Sequence, residues 1–403
     1  MSHTPFKQPL QVVLVPPPVL PLPQVQGGAV ETLLTHLMEQ NEQQGLLSLV
    51  CASIPHPQAQ QKAAGYRHTK MLYLPQPSPH PLDRARAIWQ RCQGMLPPSD
   101  PWYNAVLDQL RQGPRPDFLV AEGGNPMQFG ALSRWAGPQR CLFHLHGHSH
   151  SNPYMDRMFG GILALSHFLR SEYLATSQLQ PQAAHLVHNC IDCSRFTPGT
   201  PDGALRRSLG LAPEDFVVLY CGRVIEEKGI EPLMDAIALL GDTLPAKLLI
   251  VGSPFFAQSQ ESPFLTKLKT KAQALGSRIQ FTGFVPNEQL PQYYRCANVC
   301  CIPTLVEEAA GLVCMEAMAC GIPIIATESG GMPEYLAGSK ALVLPRTPQL
   351  PQLLAQAIHQ LYQSPQQCRE MALAGTAVAQ RYSPQAFYRE FVAALHAQQA
   401  LIP

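Results

Sequence analysis

Short apolar runs alternate with amphipathic segments along the whole chain of 403 residues. Runs such as residues 11–15, 118–121 and 216–220 have the length of buried strands, whereas residues 230–240 have the length and period of a helix. Regular alternation of strands and helices predicts a parallel sheet that helices cover on both faces. We therefore expect an α/β protein.

The alternation pauses between residues 195 and 202, where Pro198, Gly199 and Pro201 are typical of a linker. This pause predicts two doubly wound, Rossmann-like domains, residues 1–199 and 200–403. Ligands are then expected at the carboxyl ends of the strands and in a cleft that the domains share. The chain ends in amphipathic helices, and their spacing leaves open whether the last one packs locally or crosses back to the first domain.

The composition excludes several classes of protein. With 46% hydrophobic residues the chain can bury sizeable cores, and a net charge of +1 lacks the basic excess of a nucleic-acid-binding protein. No apolar run has the roughly 18–20 residues of a membrane span, and the N-terminus has no signal-peptide pattern. We expect a cytoplasmic protein whose contact with the inner face of a membrane, if any, is peripheral. The 12 cysteines include a single CxxC pair, and we interpret them as reduced structural thiols.

The segment 304–334 contains two glutamates, Glu308 and Glu316, that are eight residues apart. Between them, Gly311, Leu312 and Val313 lead into a predicted helix that ends at residue 320. Free amides and the helix dipole at such an N-terminus form an anion site. A phosphate there leaves Glu316 free to accept hydrogen bonds from ribose hydroxyls, and Glu308 faces whatever the phosphate carries. The alternative is a surface glutamate followed by an ordinary core helix.

A second segment, residues 217–233, places two cations after a buried strand. Gly222 allows a tight turn, and Arg223 and Lys228 follow before the next helix. Cations at the carboxyl end of a strand suit a diphosphate, because arginine offers a fork of donors and lysine a point charge. The alternative is a loop of solvated charges, since Glu226 and Glu227 lie between the two cations.

Two weaker features precede these segments. Gly27 and Gly28 come before a predicted helix, where paired glycines let a backbone approach a phosphate closely. His144 and His146 lie on one side of an extended chain and could bind a metal, but no nearby carboxylate completes a site. We therefore favour a hydrogen-bonding histidine. Because the chain has no Asp-x-Asp, we expect a mechanism without a metal or a cofactor.

Together these segments resemble the family 4 (group 1) glycosyltransferases of the GT-B fold. The resemblance covers roughly residues 10–395 and rests on residues that stand in the expected order: Gly27-Gly28, His146, Asn189-Cys190-Ile191-Asp192, Gly222-Arg223, Lys228-Gly229 and the pair Glu308 and Glu316. The stretch 251–256, continuing to residues 263–269, is similar to the subgroup that contains bacterial spore-coat and lipopolysaccharide-type transferases.

The resemblance implies a role for each matching residue. The implied catalytic residues are Arg223 and Lys228, which bind the donor diphosphate, Glu308, which binds the donor sugar, and His146, which contacts that sugar. Glu316 is expected to bind the ribose. The other implied donor-binding residues are Gly27, Gly28, Gly222, Gly252, Phe284, Val285, Gly311, Leu312 and Val313.

The implied reaction is retaining, metal-independent transfer of a hexosyl unit from a nucleotide sugar, with UDP favoured by family frequency. The acceptor would be a saccharide or a lipid-linked molecule in polysaccharide, glycolipid or envelope assembly. Two other interpretations stay open: a non-catalytic GT-B binding or coat protein, and another GT-B enzyme such as a sugar-nucleotide epimerase. Release of the nucleoside diphosphate only when an acceptor is present distinguishes them.

The chain departs from the family pattern in three ways. Ala309 and Ala310 stand where the family usually has an aromatic residue, which leaves space beside the donor and predicts a looser loop. Cys190 replaces a usual glycine. Glu31 falls one residue later than the family's Gly-Gly-x-Glu pattern requires, so we assign it no role.

Overall fold

The structure is a computed structural model, and it describes residues 9–76, 85, 88–89, 92, 100–241, 244–254 and 261–402. The chain divides into two compact units, which are described separately. The first unit comprises Met1–Asn189 together with Pro384–Pro403, and the second comprises Cys190–Ser383. In the part of the chain that the structure describes, no helix combines the length and the apolar character that crossing a membrane requires.

The first unit contains a seven-stranded parallel sheet in the order β3-β2-β1-β4-β5-β6-β7. Its inner strands consist mostly of buried apolar residues, as expected of a parallel sheet that is covered on both faces. The strands are β1 (Leu10–Val15), β2 (Leu47–Ser53), β3 (Thr69–Tyr73), β4 (Phe118–Glu122), β5 (Cys141–Leu145), β6 (Gly161–Ala164) and β7 (Ala184–Leu186). The helices that alternate with them are α1 (Ala29–Gln44), α2 (Pro57–Ala63), α3 (Pro101–Leu110), α4 (Gly130–Ala136) and α5 (His167–Leu174).

The second unit contains a six-stranded parallel sheet in the order β10-β9-β8-β11-β12-β13. Two apolar clusters cover its two faces. The strands are β8 (Phe216–Cys221), β9 (Ala246–Val251), β10 (Ile279–Gly283), β11 (Val299–Ile302), β12 (Ile324–Thr327) and β13 (Leu342–Leu344). The helices are α6 (Gly203–Ser208), α7 (Ile230–Leu240), α8 (Pro263–Gln273), α9 (Leu290–Arg295), α10 (Leu312–Ala319), α11 (Met332–Leu336), α12 (Leu350–Gln363) and α13 (Pro365–Ala379).

The boundary between the units lies at residue 189, ten residues before the predicted boundary at 199. Ile191 and Phe196 are buried in the core of the second unit. The backbone N–H of Ile191 donates to the carbonyl of Tyr382 at 2.8 Å, and the ring of Phe196 packs edge-on against Tyr294. The proline-rich stretch that suggested a linker therefore follows the true boundary, because these apolar side chains already belong to the second core.

The last helix, α14 (Pro384–Gln399), belongs to the first unit, so its assignment to residues 200–403 is wrong. The open alternative, that the final helix crosses back, is confirmed. The hydroxyl of Tyr388 donates to Oδ1 of Asn41 in α1 at 2.6 Å. The amide of Gln398 donates to the carbonyl of Gly160 at 3.1 Å. These contacts satisfy buried polar groups that a free helix would leave to solvent.

Candidate functional site

The strand order of the second unit reverses between β8 and β11, and such a switch point forms a crevice beyond the carboxyl ends of the strands. The loops after these two strands carry the charged residues that the sequence singled out. Nζ of Lys228 donates to Oε1 of Glu308, and both side chains are about one-fifth exposed. The hydroxyl of Tyr220 donates to the carbonyl of Arg223 at 2.6 Å and holds the start of the same loop. The structure thus brings Lys228 and Glu308 together across 80 residues of sequence.

Two glycines allow these loops to pack closely. Gly229 has a φ of +69°, and a Cβ there would lie 1.8 Å from the carbonyl oxygen of Pro303 at the end of β11. Gly252 has a φ of +137°, and its Cβ would lie 1.9 Å from the carbonyl oxygen of Gly222. Any side chain at either position would separate the strand ends, because backbone atoms cannot yield as a flexible side chain can.

The loop that carries Glu308 is anchored without an aromatic residue at Ala309 or Ala310. Glu307 accepts hydrogen bonds from Arg346 and from the backbone N–H of Gly330. The backbone N–H of Gly331 donates to the carbonyl of Glu308 at 2.8 Å. Charged and backbone contacts therefore hold the loop. They do not indicate the looser loop that the missing aromatic residue predicted. The sequence contained no signal for this, since Arg346 lies 39 residues from Glu307.

Helix α10 begins at Leu312, as predicted, and its N-cap residue is Gly311. Gly311 has no side chain that could cap this end of the helix, and amides at such a helix N-terminus suit an anion. Glu316 follows one turn later, and the hydroxyl of Tyr294 donates to its Oε2 at 2.7 Å. Burial raises the pKa of Glu316 to about 7, against the hydrogen bond from Tyr294 and the charge of Arg195. Sequence reasoning missed Tyr294, because its partner lies 22 residues away on another helix.

A cavity of about 190 Å³ lies at the carboxyl ends of β8, β9 and β10. Phe284 is 39% exposed beside it, whereas Val285 is buried. The structure brings four predicted donor-binding residues together here with a predicted catalytic cation. The lining residues are Cys221, Gly222, Arg223, Val251, Gly252, Ser253, Phe284, Val285 and Leu290. Residues 255 and 256 of the subgroup motif lie outside the described residues.

In the first unit, Gly27 and Gly28 precede α1, and Gly28 is its N-cap residue. A Cβ on Gly28 would lie 2.0 Å from Oε2 of Glu31, so the carboxyl group of Glu31 folds back against Gly28. Glu31 is buried, and burial raises its pKa. Glu31, which follows the glycines one residue later than the family pattern requires, therefore still lies beside Gly28.

His146 also lies in the first unit. The prediction that no carboxylate lies near it is wrong. Oε2 of Glu122 lies 2.8 Å from Nδ1 of His144 and 2.8 Å from Nε2 of His146. Sequence reasoning missed Glu122 because it ends β4, the neighbouring strand, 22 residues earlier. Potential ligand atoms of these three residues lie within 4.8 Å of one another, so they form a candidate metal-binding group. His148 instead pairs with Glu172 at the surface.

The two histidines control the charge of Glu122. Burial by itself would raise the pKa of this carboxyl group, but the charges and hydrogen bonds of His144 and His146 outweigh burial and hold the pKa at about 2. Burial and the neighbouring charge of His144 lower the pKa of His146, against the opposing effect of Glu122. An ionised carboxylate beside a neutral imidazole is therefore the favoured state at neutral pH.

Known proteins resemble this chain in both sequence and fold. The family described as Glycosyl transferases group 1 matches residues 202–378. A GDP-mannose-dependent alpha-(1-6)-phosphatidylinositol monomannoside mannosyltransferase of Mycolicibacterium smegmatis is 31% identical over 270 residues, which are 61% of this chain and 67% of that protein. The chain belongs to the group 1 glycosyltransferases.

Other relatives of this group 1 family member share shorter segments. A lipopolysaccharide 1,2-N-acetylglucosaminetransferase of Salmonella typhimurium is 30% identical over 215 residues, or 53% of this chain and 55% of that protein. A D-inositol 3-phosphate glycosyltransferase of Jonesia denitrificans is 33% identical over 188 residues, or 44% and 42% of the two chains. The chain thus spans about half the length of these curated relatives.

Solved structures show that the predicted fold class is correct. Anabaena HepE in complex with UDP-glucose superimposes with a TM-score of 0.73 at 18% identity, covering 96% of this chain and 100% of that chain. WaaG, a glycosyltransferase involved in lipopolysaccharide biosynthesis, superimposes with a TM-score of 0.63 at 15% identity, covering 94% and 98%. At these identities the likeness shows the fold alone, which is the GT-B fold of two Rossmann-like domains.

Proposed function

We propose that the protein is a retaining, metal-independent glycosyltransferase that transfers a hexosyl unit from a nucleoside diphosphate sugar, with UDP as the favoured base. The proposed acceptor is a saccharide or a lipid-linked molecule in glycoconjugate biosynthesis. The proposed place of action is the cytoplasm, with at most peripheral contact with a membrane. Two relatives support this range, since one is a lipopolysaccharide 1,2-N-acetylglucosaminetransferase and the other a phosphatidylinositol monomannoside mannosyltransferase.

The observation that carries the proposal is the contact between Lys228 and Glu308, at the switch point of the second sheet. A lysine that is paired with one carboxylate has a stronger partner in a diphosphate, which carries more negative charge and more acceptor oxygens. Binding of the donor would then take Lys228 from Glu308. The freed carboxylate would accept hydrogen bonds from hydroxyls of the donor sugar.

The charge of the leaving group decides how the site would accelerate the reaction. When the bond from the sugar to the diphosphate breaks, negative charge develops on the diphosphate. Once the donor is bound, Arg223, Lys228 and the N-terminus of α10 would offer positive charge to the diphosphate, which lowers the barrier to breaking this bond. This set is the basis for proposing that no metal ion is needed.

The remaining residues suit the nucleoside. Glu316, one turn inside α10, is proposed to accept hydrogen bonds from the ribose, and the cavity beside Phe284 and Val285 is proposed to hold the base. HepE, which shares the fold, was solved with UDP-glucose, and this supports UDP as the first nucleotide to test.

Isothermal titration calorimetry with UDP, GDP and ADP tests the proposal. Lys228→Gln should weaken the binding of the preferred nucleotide by about tenfold or more, because a hydrogen bond to a charged group contributes roughly 1.5–3 kcal/mol. Lys340→Gln is the matched control, since Lys340 is an exposed lysine of the same unit that pairs with Glu370. Equal affinity in wild type and Lys228→Gln, or no binding of any nucleotide at millimolar concentration, would contradict the proposed site.

Activity assays test the finer statements. Release of the nucleoside diphosphate should require an acceptor, and release at the same rate without one would refute transfer. The anomeric configuration of the product, read by NMR, should equal that of the donor. Activity should persist in EDTA, and its loss there would refute metal independence.

A further inference from the structure

Glu122, His144 and His146 are brought together by two neighbouring strands of the first unit. Glu122 ends β4 and lies directly opposite His144 of β5 in the parallel register. His146 follows two residues later, directly after the end of β5. The backbone of a buried sheet therefore sets the positions of Glu122 and His144, and His146 begins the loop that follows β5.

Both imidazoles approach the same oxygen atom. Nδ1 of His144 and Nε2 of His146 each lie 2.8 Å from Oε2 of Glu122. An ionised carboxylate only accepts hydrogen bonds, so the nitrogen that faces it on each ring must carry the hydrogen. In its neutral form His146 then carries its hydrogen on Nε2 and its lone pair on Nδ1.

Of these three residues, only His146 has a side chain that reaches solvent. Glu122 and His144 are fully buried, and Oε1 of Glu122 and Nε2 of His144 are enclosed without a hydrogen-bond partner among the described residues. The side chain of His146 is 10% exposed. Because Nε2 of His146 faces Glu122, Nδ1 is the ring nitrogen of His146 that remains for a ligand.

We propose that Glu122 is a positioning residue that fixes the tautomer of His146, so that Nδ1 of His146 accepts a hydrogen bond from a sugar hydroxyl. This inference rests on the proposed function and assigns to Glu122 a part that the family resemblance does not include. The hydroxyl belongs either to the donor sugar or to the acceptor, and the two sources are separated by experiment.

The distances favour this hydrogen-bonded arrangement over a metal site. A zinc ion requires the lone pairs of both nitrogens and of the carboxylate to point at one position about 2.0–2.2 Å from each ligand atom. Here each of the two nitrogens instead lies 2.8 Å from Oε2, which is an ordinary hydrogen-bond distance.

Nitrogen-15 NMR of the full chain reads the tautomer directly. Long-range proton–nitrogen correlations of His146, assigned by their loss in His146→Gln, should show a protonated Nε2 and a bare Nδ1. In Glu122→Gln the ring should become a mixture of tautomers, because an amide can donate as well as accept. Glu172→Gln is the control, since it removes the carboxylate of another histidine pair, that with His148, and should leave His146 unchanged.

A bare Nε2 in the wild-type spectrum, or an unaltered tautomer in Glu122→Gln, would overturn the inference. The wild-type spectrum decides the first point even if the variant does not fold. One equivalent of Zn²⁺ that binds with micromolar affinity to the wild type but not to Glu122→Gln would also overturn it, in favour of a metal site.

Kinetics separate the two sources of the hydroxyl. Glu122→Gln should lower kcat/KM for transfer about tenfold, the effect of one misdirected hydrogen bond. If the donor sugar supplies the hydroxyl, hydrolysis of the donor without acceptor falls equally; if the acceptor supplies it, hydrolysis is unchanged and KM for the acceptor rises. Unchanged transfer in a variant with mixed tautomers would refute the role of His146. Failure of nucleotide binding would instead refute the proposed function. The NMR experiment would still decide the tautomer of His146, because it requires no nucleotide.

Discussion

Replacing Glu316 by glutamine should stabilise the protein at neutral and alkaline pH. Burial raises the pKa of this carboxyl group from 4.5 to about 7, so the folded state holds a proton that the unfolded state has already lost. Between these two pH values the folded state binds more protons, and the free energy of unfolding therefore falls as the pH rises. Glutamine, which does not ionise, avoids this loss.

The size of the effect follows from the shift. A change of about 2.5 pKa units corresponds to about 3 kcal/mol at 1.36 kcal/mol per unit, which is an upper limit because the side chain keeps some access to water. Nearly all of it develops between pH 4.5 and pH 7. The hydrogen bond from Tyr294 is retained in the variant, since the amide oxygen of glutamine can accept it.

The assay compares the free energy of unfolding of Glu316→Gln and wild type at pH 5 and pH 8, from urea titrations followed by circular dichroism. Hydrogen exchange of β8 and β11, the central strands, reports on the second unit separately. The difference in free energy between variant and wild type should increase by about 2 kcal/mol or more from pH 5 to pH 8. The same substitution at the exposed Glu288 is the control and should change by less than about 0.5 kcal/mol. An equal difference at both pH values would refute the argument from burial.

Two further substitutions test how the fold holds the site and the last helix. Gly229→Ala should lower the free energy of unfolding by about 1–2 kcal/mol because of its left-handed backbone, and further because the new Cβ collides with the carbonyl of Pro303. Gly210→Ala has a similarly positive φ but open space around it, so it should lose only the roughly 1–2 kcal/mol that the backbone costs. Equal losses of stability in urea titrations would show that the collision has no effect. Tyr388→Phe should cost about 1–2 kcal/mol, because it removes a buried hydrogen bond to Asn41, and a loss below about 0.5 kcal/mol in urea unfolding followed by tryptophan fluorescence would contradict this.

Much of the fold could be predicted from the sequence because it depends on local pattern. Apolar runs and amphipathic segments indicated the parallel sheets, and the period of residues 312–320 indicated helix α10. The domain boundary was misplaced because proline and glycine mark where regular structure stops, not which core the following residues join. Ile191 bonds to Tyr382 and Phe196 packs against Tyr294, so both join the second core through residues that lie far away in the sequence.

The residues of the candidate site also differ in whether the sequence could identify them. Lys228, Glu308 and Glu316 were identifiable because a short motif places each of them at the end of a strand or at the start of a helix. Tyr294 and Glu122 were not identifiable, because each acts on a partner that only the packing of separate elements brings near.

The sequence by itself determined the alternation of strands and helices, the chemistry of the charged loops and the family to which the chain belongs. Only the tertiary structure decided that α14 returns to α1 across 347 residues and that Glu122 lies between two histidines. The physical reason is that propensity and motif spacing act over one or two turns of chain. Burial and hydrogen bonding in a core depend on which distant segments share a face, and a single sequence does not display that pairing.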